Sequence, residues 1–218
     1  MMAMPKTHTL VYVTDPMCSW CWGFSPVIEA VRERYQERCH IQLLLGGLRP
    51  GNKERFDEQR RKTILEHWHA VHLRTGQLFD FTFHMGPDFT YDTEPAARGV
   101  VVMRTLHPSL AFQYLKMVHY AFYRENQDVT KESVLADLAQ SLGADRAKFE
   151  GLFRSTQVKQ EVWDEFDRSR ELGVSGFPTL LGQNDQGMTM LTQGYQAFDS
   201  LASIIETWLN STALNVPT

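Results

Sequence analysis

The chain is poor in cysteine, holding only three in 218 residues. An odd count with one close pair excludes a structural disulfide framework. Long apolar runs are missing too, and no window approaches the roughly eighteen residues a membrane-crossing helix requires. Positive charge is not in excess: 22 Lys and Arg stand against 26 Asp and Glu, for a net charge of −4. With no basic cluster, the chain lacks the electrostatic footprint of nucleic-acid binding or of an anionic membrane surface. Residues 1–9 show no charged stretch leading into an apolar one, so the expected setting is cytoplasmic. A reducing compartment turns the close cysteine pair toward catalysis or metal binding. Neither an internal repeat nor a low-complexity segment is present.

Against that background stands Cys18-Ser19-Trp20-Cys21. It follows Thr9-Leu10-Val11-Tyr12-Val13-Thr14, a β-branched and aromatic run that predicts a strand and is stopped by Asp15-Pro16. The cysteines therefore fall where a helix begins. The unpaired N–H groups and partial positive charge of a helix N-terminus favour thiolate over thiol, most of all at Cys18. Phe24, Val27, Ile28, Val31 and Tyr35 continue as an apolar stripe, predicting a helix from 19 to 37 with Pro26 inside it. Ile41 to Leu45 is a second strand closed by Gly46-Gly47, which completes a βαβ unit.

The middle of the chain reads as helical. Residues 53–75 form one charged helix, with Phe56, Ile64, Leu65, Trp68 and Val71 inward. Residues 76–93 are irregular, and their Phe79, Phe81, Phe83, Phe89 and Tyr91 pack a long loop onto the core rather than forming an exposed binding set. Helices follow at 95–106, 109–125, 131–142 (Thr130 as N-cap) and 146–154. A helix over 157–172 buries Val158, Val162, Trp163 and Phe166. Beyond Gly176-Phe177-Pro178, short strands at 179–181 and 188–191 flank the Asn184-Asp185-Gln186-Gly187 turn, and a helix over 197–209 ends the pattern.

A strand, a CxxC opening a helix, Pro26, and a late Gly-Phe-Pro-Thr before a hairpin together resemble the thioredoxin fold with a large α-helical insertion, its DsbA-like branch. Asp15-Pro16-Met17-Cys18-Ser19-Trp20-Cys21-Trp22-Gly23-Phe24 is similar to the cytosolic FrnE-related subgroup of thiol–disulfide oxidoreductases and disulfide isomerases. The resemblance implies an α/β fold divided as 1–52 (thioredoxin-like, first part), 53–155 (helical insertion), 156–211 (second part) and 212–218 (tail). It also implies Cys18 as nucleophile and Cys21 as resolving thiol, working through a redox-active Cys18–Cys21 disulfide with no bound cofactor. Protein or small-molecule disulfides are the implied substrates, and glutathione is a candidate electron partner. Pro178 is expected to follow a cis bond against Cys18, leaving the Phe177 backbone to pair with substrate. The Ser19 hydroxyl is expected to donate to sulfur, and Trp20 to shape the contact surface.

Asp15 has two readings, as an acid/base group near the thiols or as a cap of the helix. Trp22 is either peptide-binding surface or a cover over the cysteines. Cys39 reads as a buried hydrophobe. His67, His69 and His72 lie on one helix without a fourth ligand, so no metal is expected. Two other functions fit the same architecture: a glutathione-dependent transferase or isomerase of the kappa-class or 2-hydroxychromene-2-carboxylate isomerase type, and a non-catalytic peptide-binding module. The intact dithiol argues against the first, whose members typically carry serine at the catalytic position.

Overall fold

The computed structural model describes residues 8–86 and 88–213. Strand β1 (His8–Thr14) leads into helix α1 (Ser19–Tyr35) and strand β2 (Cys39–Leu45). Helices α2 (Glu58–Thr75), α3 (Glu94–Leu106), α4 (Ala111–Glu125), α5 (Glu132–Ser141) and α6 (Arg146–Arg154) come next, with a short 3-10 turn at Pro108–Leu110 before α4. Helix α7 (Thr156–Glu171), strands β3 (Thr179–Asn184) and β4 (Gly187–Gln193), and helix α8 (Phe198–Ala213) complete the described chain. The sheet runs β2-β1-β3-β4, with β1 parallel to β2 and antiparallel to β3. This mixed α/β arrangement is the DsbA-like thioredoxin fold with a helical insertion.

Alternation along β1 divides the core. Leu10 and Tyr12 face a large cluster with Phe24, Ile28 and Val31 of α1 and Leu201 and Ile205 of α8. Val11 and Val13 face a smaller one with Leu44, Val174 and Leu181. Strand β2 lies at the sheet edge, where unpaired backbone groups invite aggregation. There Arg104 donates to the Leu43 carbonyl at 3.0 Å, Glu165 accepts from the Leu45 N–H at 2.9 Å, and the two side chains pair with each other.

Several elements differ from the expectations. Helix α2 starts at Glu58, because the Asp57 carboxylate accepts from the Arg60 N–H and fixes the N-cap there. The N-cap of α5 is Lys131 rather than Thr130, whose hydroxyl is turned to Asp128. Trp163 does not point inward. It is 39% exposed, next on the helix to fully buried Val162, and its ring lies edge-on to Phe166. Cys39 is the first residue of β2 and is buried, as a small apolar residue should be. Strands β3 and β4 are longer than expected, meeting across the two-residue turn Asp185-Gln186. Helix α8 runs through Ala213, past the end expected at 209. The rest of the tail, 214–218, lies outside the described residues. Four of the five loop aromatics between 76 and 93 are buried and Phe81 is partly so, which bears out packing.

Candidate active site

The site begins where β1 stops. Pro16 offers no N–H, and the Asp15 carboxylate accepts from the Met17 N–H at 2.8 Å, an Asx turn that reverses the chain. The Cys18 N–H closes that turn on the Asp15 carbonyl at 3.1 Å. Cys18 is itself the N-cap of α1, in extended conformation, and its carbonyl accepts from the N–H groups of Cys21 and Trp22. No hydroxyl or carboxylate caps this helix, and its first turn carries no acidic residue. The positive end of α1 is thus left to the thiol.

Asp15 accordingly does not cap α1, the second of its two readings. Its other oxygen accepts from the Leu48 N–H at 2.7 Å, so the carboxylate ties the β1–α1 corner to the segment after β2. Fully buried, it is raised to about 6 by loss of water, against the opposing pull of the Leu48 and Met17 N–H groups and the Thr93 side chain.

Cys18 is less open than expected of an attacking thiol, at 5% exposed, but it remains the more accessible of the pair, since Cys21 is at 0%. Neither is in a disulfide. Cys18 Sγ lies 3.7 Å from the Phe177 carbonyl oxygen, across 159 residues of sequence. The Phe177–Pro178 peptide bond is cis. The Phe177 ring lies over Gly46 so closely that a Cβ there would stand 2.0 Å from its edge, and any other residue would have to push the ring aside. Cys21 has its pKa pushed up, chiefly by burial and then by Cys18 beside it, while the Thr14 hydroxyl and the Asp15 backbone pull the other way. The Thr14 hydroxyl also donates to the Tyr12 hydroxyl at 3.0 Å, and burial together with Cys21 keeps that phenol protonated.

The insertion supplies groups that sequence reasoning missed. His119 of α4 is buried, with Nε2 3.3 Å from the Asp15 carbonyl and Nδ1 3.4 Å from the Ser25 hydroxyl. A carbonyl only accepts, so Nε2 carries the proton; in the neutral ring Nδ1 then accepts from Ser25. Burial lowers His119 to about 4. Tyr91 donates to the Met17 carbonyl at 2.7 Å, clamping the residue before Cys18. No local pattern marks His119. Tyr91 stood out only as one of the packed loop aromatics.

Among the described residues no hydrogen bond joins Ser19 to sulfur, and Trp20 is half-buried with its ring tilted against Tyr195 at 6.3 Å. Trp22 is not surface. Its Nε1 donates to the Leu78 carbonyl at 2.9 Å and its ring stacks on Tyr123. His69 stacks on Phe81 at 4.0 Å, and the His72 ring nitrogen bonds the Gln77 carbonyl. Among the described residues no group of three or more His, Cys, Asp or Glu is arranged to hold a metal ion, and no helix is long and apolar enough to cross a membrane.

A dithiol at a helix N-terminus, facing a proline loop from the far half of a mixed sheet, defines a thioredoxin-fold protein. More narrowly, the family model of the DSBA-like thioredoxin domain matches residues 9–206, and the chain belongs to that family. It is 37% identical to a protein from Nitrosomonas europaea provisionally named a protein disulfide isomerase, whose crystal structure covers 94% of this chain and 98% of its own with a TM-score of 0.87. The cytosolic disulfide reductase DsbM from Pseudomonas aeruginosa has the same fold at 23% identity, covering 93% of this chain and 98% of its own, with a TM-score of 0.76. Among curated proteins, the ClpXP adapter protein SpxH of Bacillus subtilis is 24% identical over 84% of this chain. The match spans 60% of that relative's length, and 57% of the Halalkalibacterium halodurans SpxH.

Proposed function

We propose that this protein is a thiol–disulfide oxidoreductase acting on protein or small-molecule disulfides through Cys18 and Cys21. The observation that carries the reading is the meeting of Cys18 Sγ with the Phe177 carbonyl, above a fully buried Cys21 on the same helix. In the reducing direction the Cys18 thiolate attacks one sulfur of a substrate disulfide. A Cys18–substrate bond forms, the substrate S–S bond breaks, and the departing thiolate takes a proton from water. Cys21 then loses its proton and attacks Cys18 Sγ, releasing the second substrate thiol. Two electrons have passed from the dithiol to the substrate, leaving a Cys18–Cys21 disulfide. Run backwards, the same steps oxidise a substrate dithiol. The Phe177 backbone beside the nucleophile is the place where an extended substrate segment pairs.

The proposal includes a cytoplasmic setting and glutathione as electron partner. It is supported by the family and by the naming of DsbM as a cytosolic disulfide reductase that has been crystallised with GSH. The test is the potential of the Cys18/Cys21 couple in glutathione buffers. A value near about −270 mV fits a reductase and one near about −120 mV an oxidant. Failure of the pair to form any disulfide refutes the reading.

A second reading, a peptide-binding module, is favoured by the likeness to proteins named as ClpXP adapters. Peptide binding that persists in the Cys18→Ser, Cys21→Ser double variant, with no disulfide activity in the unmodified protein, selects it.

A further inference from the structure

Six arginines lie over aromatic rings: Arg32, Arg34, Arg38, Arg49, Arg74 and Arg98. Five share their charge with a carboxylate. Arg34 and Arg38 pair with Glu206 and Arg98 with Glu94, while Glu29 stands by Arg32 and Arg49 acts on Glu54. Arg32, Arg49 and Arg74 make no ion pair among the described residues, and the Arg74 guanidinium lies over the Tyr195 ring.

Its position is fixed from three sides. Arg74 is in the last turn of α2, which packs on the first turn of α1: a Cβ at Gly23 would stand 2.8 Å from Val71 and 2.9 Å from Thr75. The Gln77 side chain donates to the Trp22 carbonyl at 3.0 Å, holding the chain just beyond it. The guanidinium itself lies 5.2 Å over the Tyr195 ring, which in turn lies 6.3 Å from Trp20, the residue between Ser19 and Cys21. An exposed cation is thereby placed one aromatic ring away from Trp20 of the dithiol motif.

Resting on the oxidoreductase reading above, we propose that Arg74 is a specificity-determining residue that favours disulfides bearing a carboxylate close to the sulfur attacked by Cys18. The charge acts on encounter and on the mixed disulfide. The dithiol supplies both electrons, so a pre-reduced sample needs no other reductant in a single turnover.

The experiment measures single-turnover reduction of three small disulfides by the pre-reduced protein: anionic dithiodipropionate, neutral hydroxyethyl disulfide and cationic cystamine. A parallel set uses peptide disulfides flanked by Glu, Gln or Lys. Two unit charges about 10 Å apart in water interact by roughly 0.4 kcal/mol, so the anionic-to-neutral rate ratio should fall about twofold in Arg74→Gln. It should stay in Arg74→Lys, invert in Arg74→Glu, and collapse in all of them near 1 M salt. Arg168→Gln removes the same charge from an exposed position on α7 and should leave the ratio alone. An effect in both sets supports a general preference, and an effect in one set alone identifies the small or the peptide substrate. A ratio that is unchanged in Arg74→Gln while disulfides are still reduced overturns the inference. If no disulfide is reduced at all, the oxidoreductase reading fails, and this inference with it.

Discussion

The β1–α1 corner and helix α4 build one site by different routes. The corner brings its chemistry in a contiguous stretch, Asp15 to Cys21, shaped by an Asx turn and a helix start. Helix α4 brings a single side chain, His119, from more than a hundred residues away and with no motif around it. The corner therefore holds the dithiol, while α4 sets the hydrogen bonding of the wall behind it. The difference teaches that the thiols and the polar groups around them are encoded at different ranges of sequence, and they should be separable by substitution.

The largest expected effect lies on the corner. Cys18→Ser should abolish single-turnover disulfide reduction, and Cys21→Ser should stall at a mixed disulfide that mass spectrometry detects as a covalent adduct. Both variants should stay folded, with Cys21→Ser the less stable of the two because it places a hydroxyl where a fully buried thiol stood. Adduct formation by Cys18→Ser would break the assignment of roles.

The next tests whether the insertion is merely attached. Trp68 is the largest fully buried side chain, and its ring lies 4.3 Å from Phe83, 5.0 Å from Tyr123 and 5.3 Å from Phe79, with Tyr123 stacked in turn on Trp22. Trp68→Ala should cost about 3–5 kcal/mol in urea unfolding. If corner and insertion form one cooperative unit, alkylation of the thiols under native conditions should speed up in step with that loss. Unaltered protection would separate the two regions.

These two tests differ in how far their residues could be read in advance. The CxxC, the strand before it and the Gly-Phe-Pro loop are local patterns, and they told the fold because strand alternation, proline chemistry and helix polarity act over a few residues. The interior of the large helices was legible for the same reason, whereas Trp163 was misplaced because an apolar residue one position from a buried one can fall on either side of a stripe. Long-range choices left no local trace. Sequence alone held Asp15 between cap and acid, and its bond to the Leu48 N–H depends on where the segment after β2 returns. His119 needed the whole insertion to be folded before its ring met the Asp15 carbonyl.

A third prediction sets the two regions against each other. Asp15 rises from 3.8 to about 6 on folding, so its contribution to stability is full below about 4 and is lost as the pH rises through about 6. His119 falls from 6.5 to about 4, so its contribution is full above about 6.5 and is lost as the pH falls through about 4. Each shift amounts to about 3 kcal/mol with opposite sign, and over pH 4–6.5 the two should nearly cancel. Denaturation at a series of pH values should show unfolding free energy almost flat in the native protein. In Asp15→Asn it should rise with pH, exposing the histidine, and in His119→Gln it should fall with pH, exposing the aspartate. The amide at 15 leaves one N–H donor unmatched, a cost that does not vary with pH, so the slope is the readout rather than the level. Parallel slopes in all three proteins would sink the pairing.

The smallest effect concerns the seam between the halves of the sheet. Gly46 follows β2 and donates its N–H to the Thr14 carbonyl at 2.8 Å, while the Phe177 ring lies against its Cα. In Gly46→Ala the added methyl must displace that ring, because the atom it meets at 2.0 Å belongs to an aromatic side chain held by the 177–178 loop. Overpacking of this kind costs about 1–3 kcal/mol. The ring can swing about its own side-chain bonds or take its backbone with it, and in the second case the carbonyl 3.7 Å from Cys18 Sγ moves too. Reduction of a peptide disulfide, which needs the Phe177 backbone, should therefore slow more than reduction of a small disulfide that needs only the thiol. An equal slowing of both would show that the ring swings aside without its carbonyl and that Gly46 supports the fold alone.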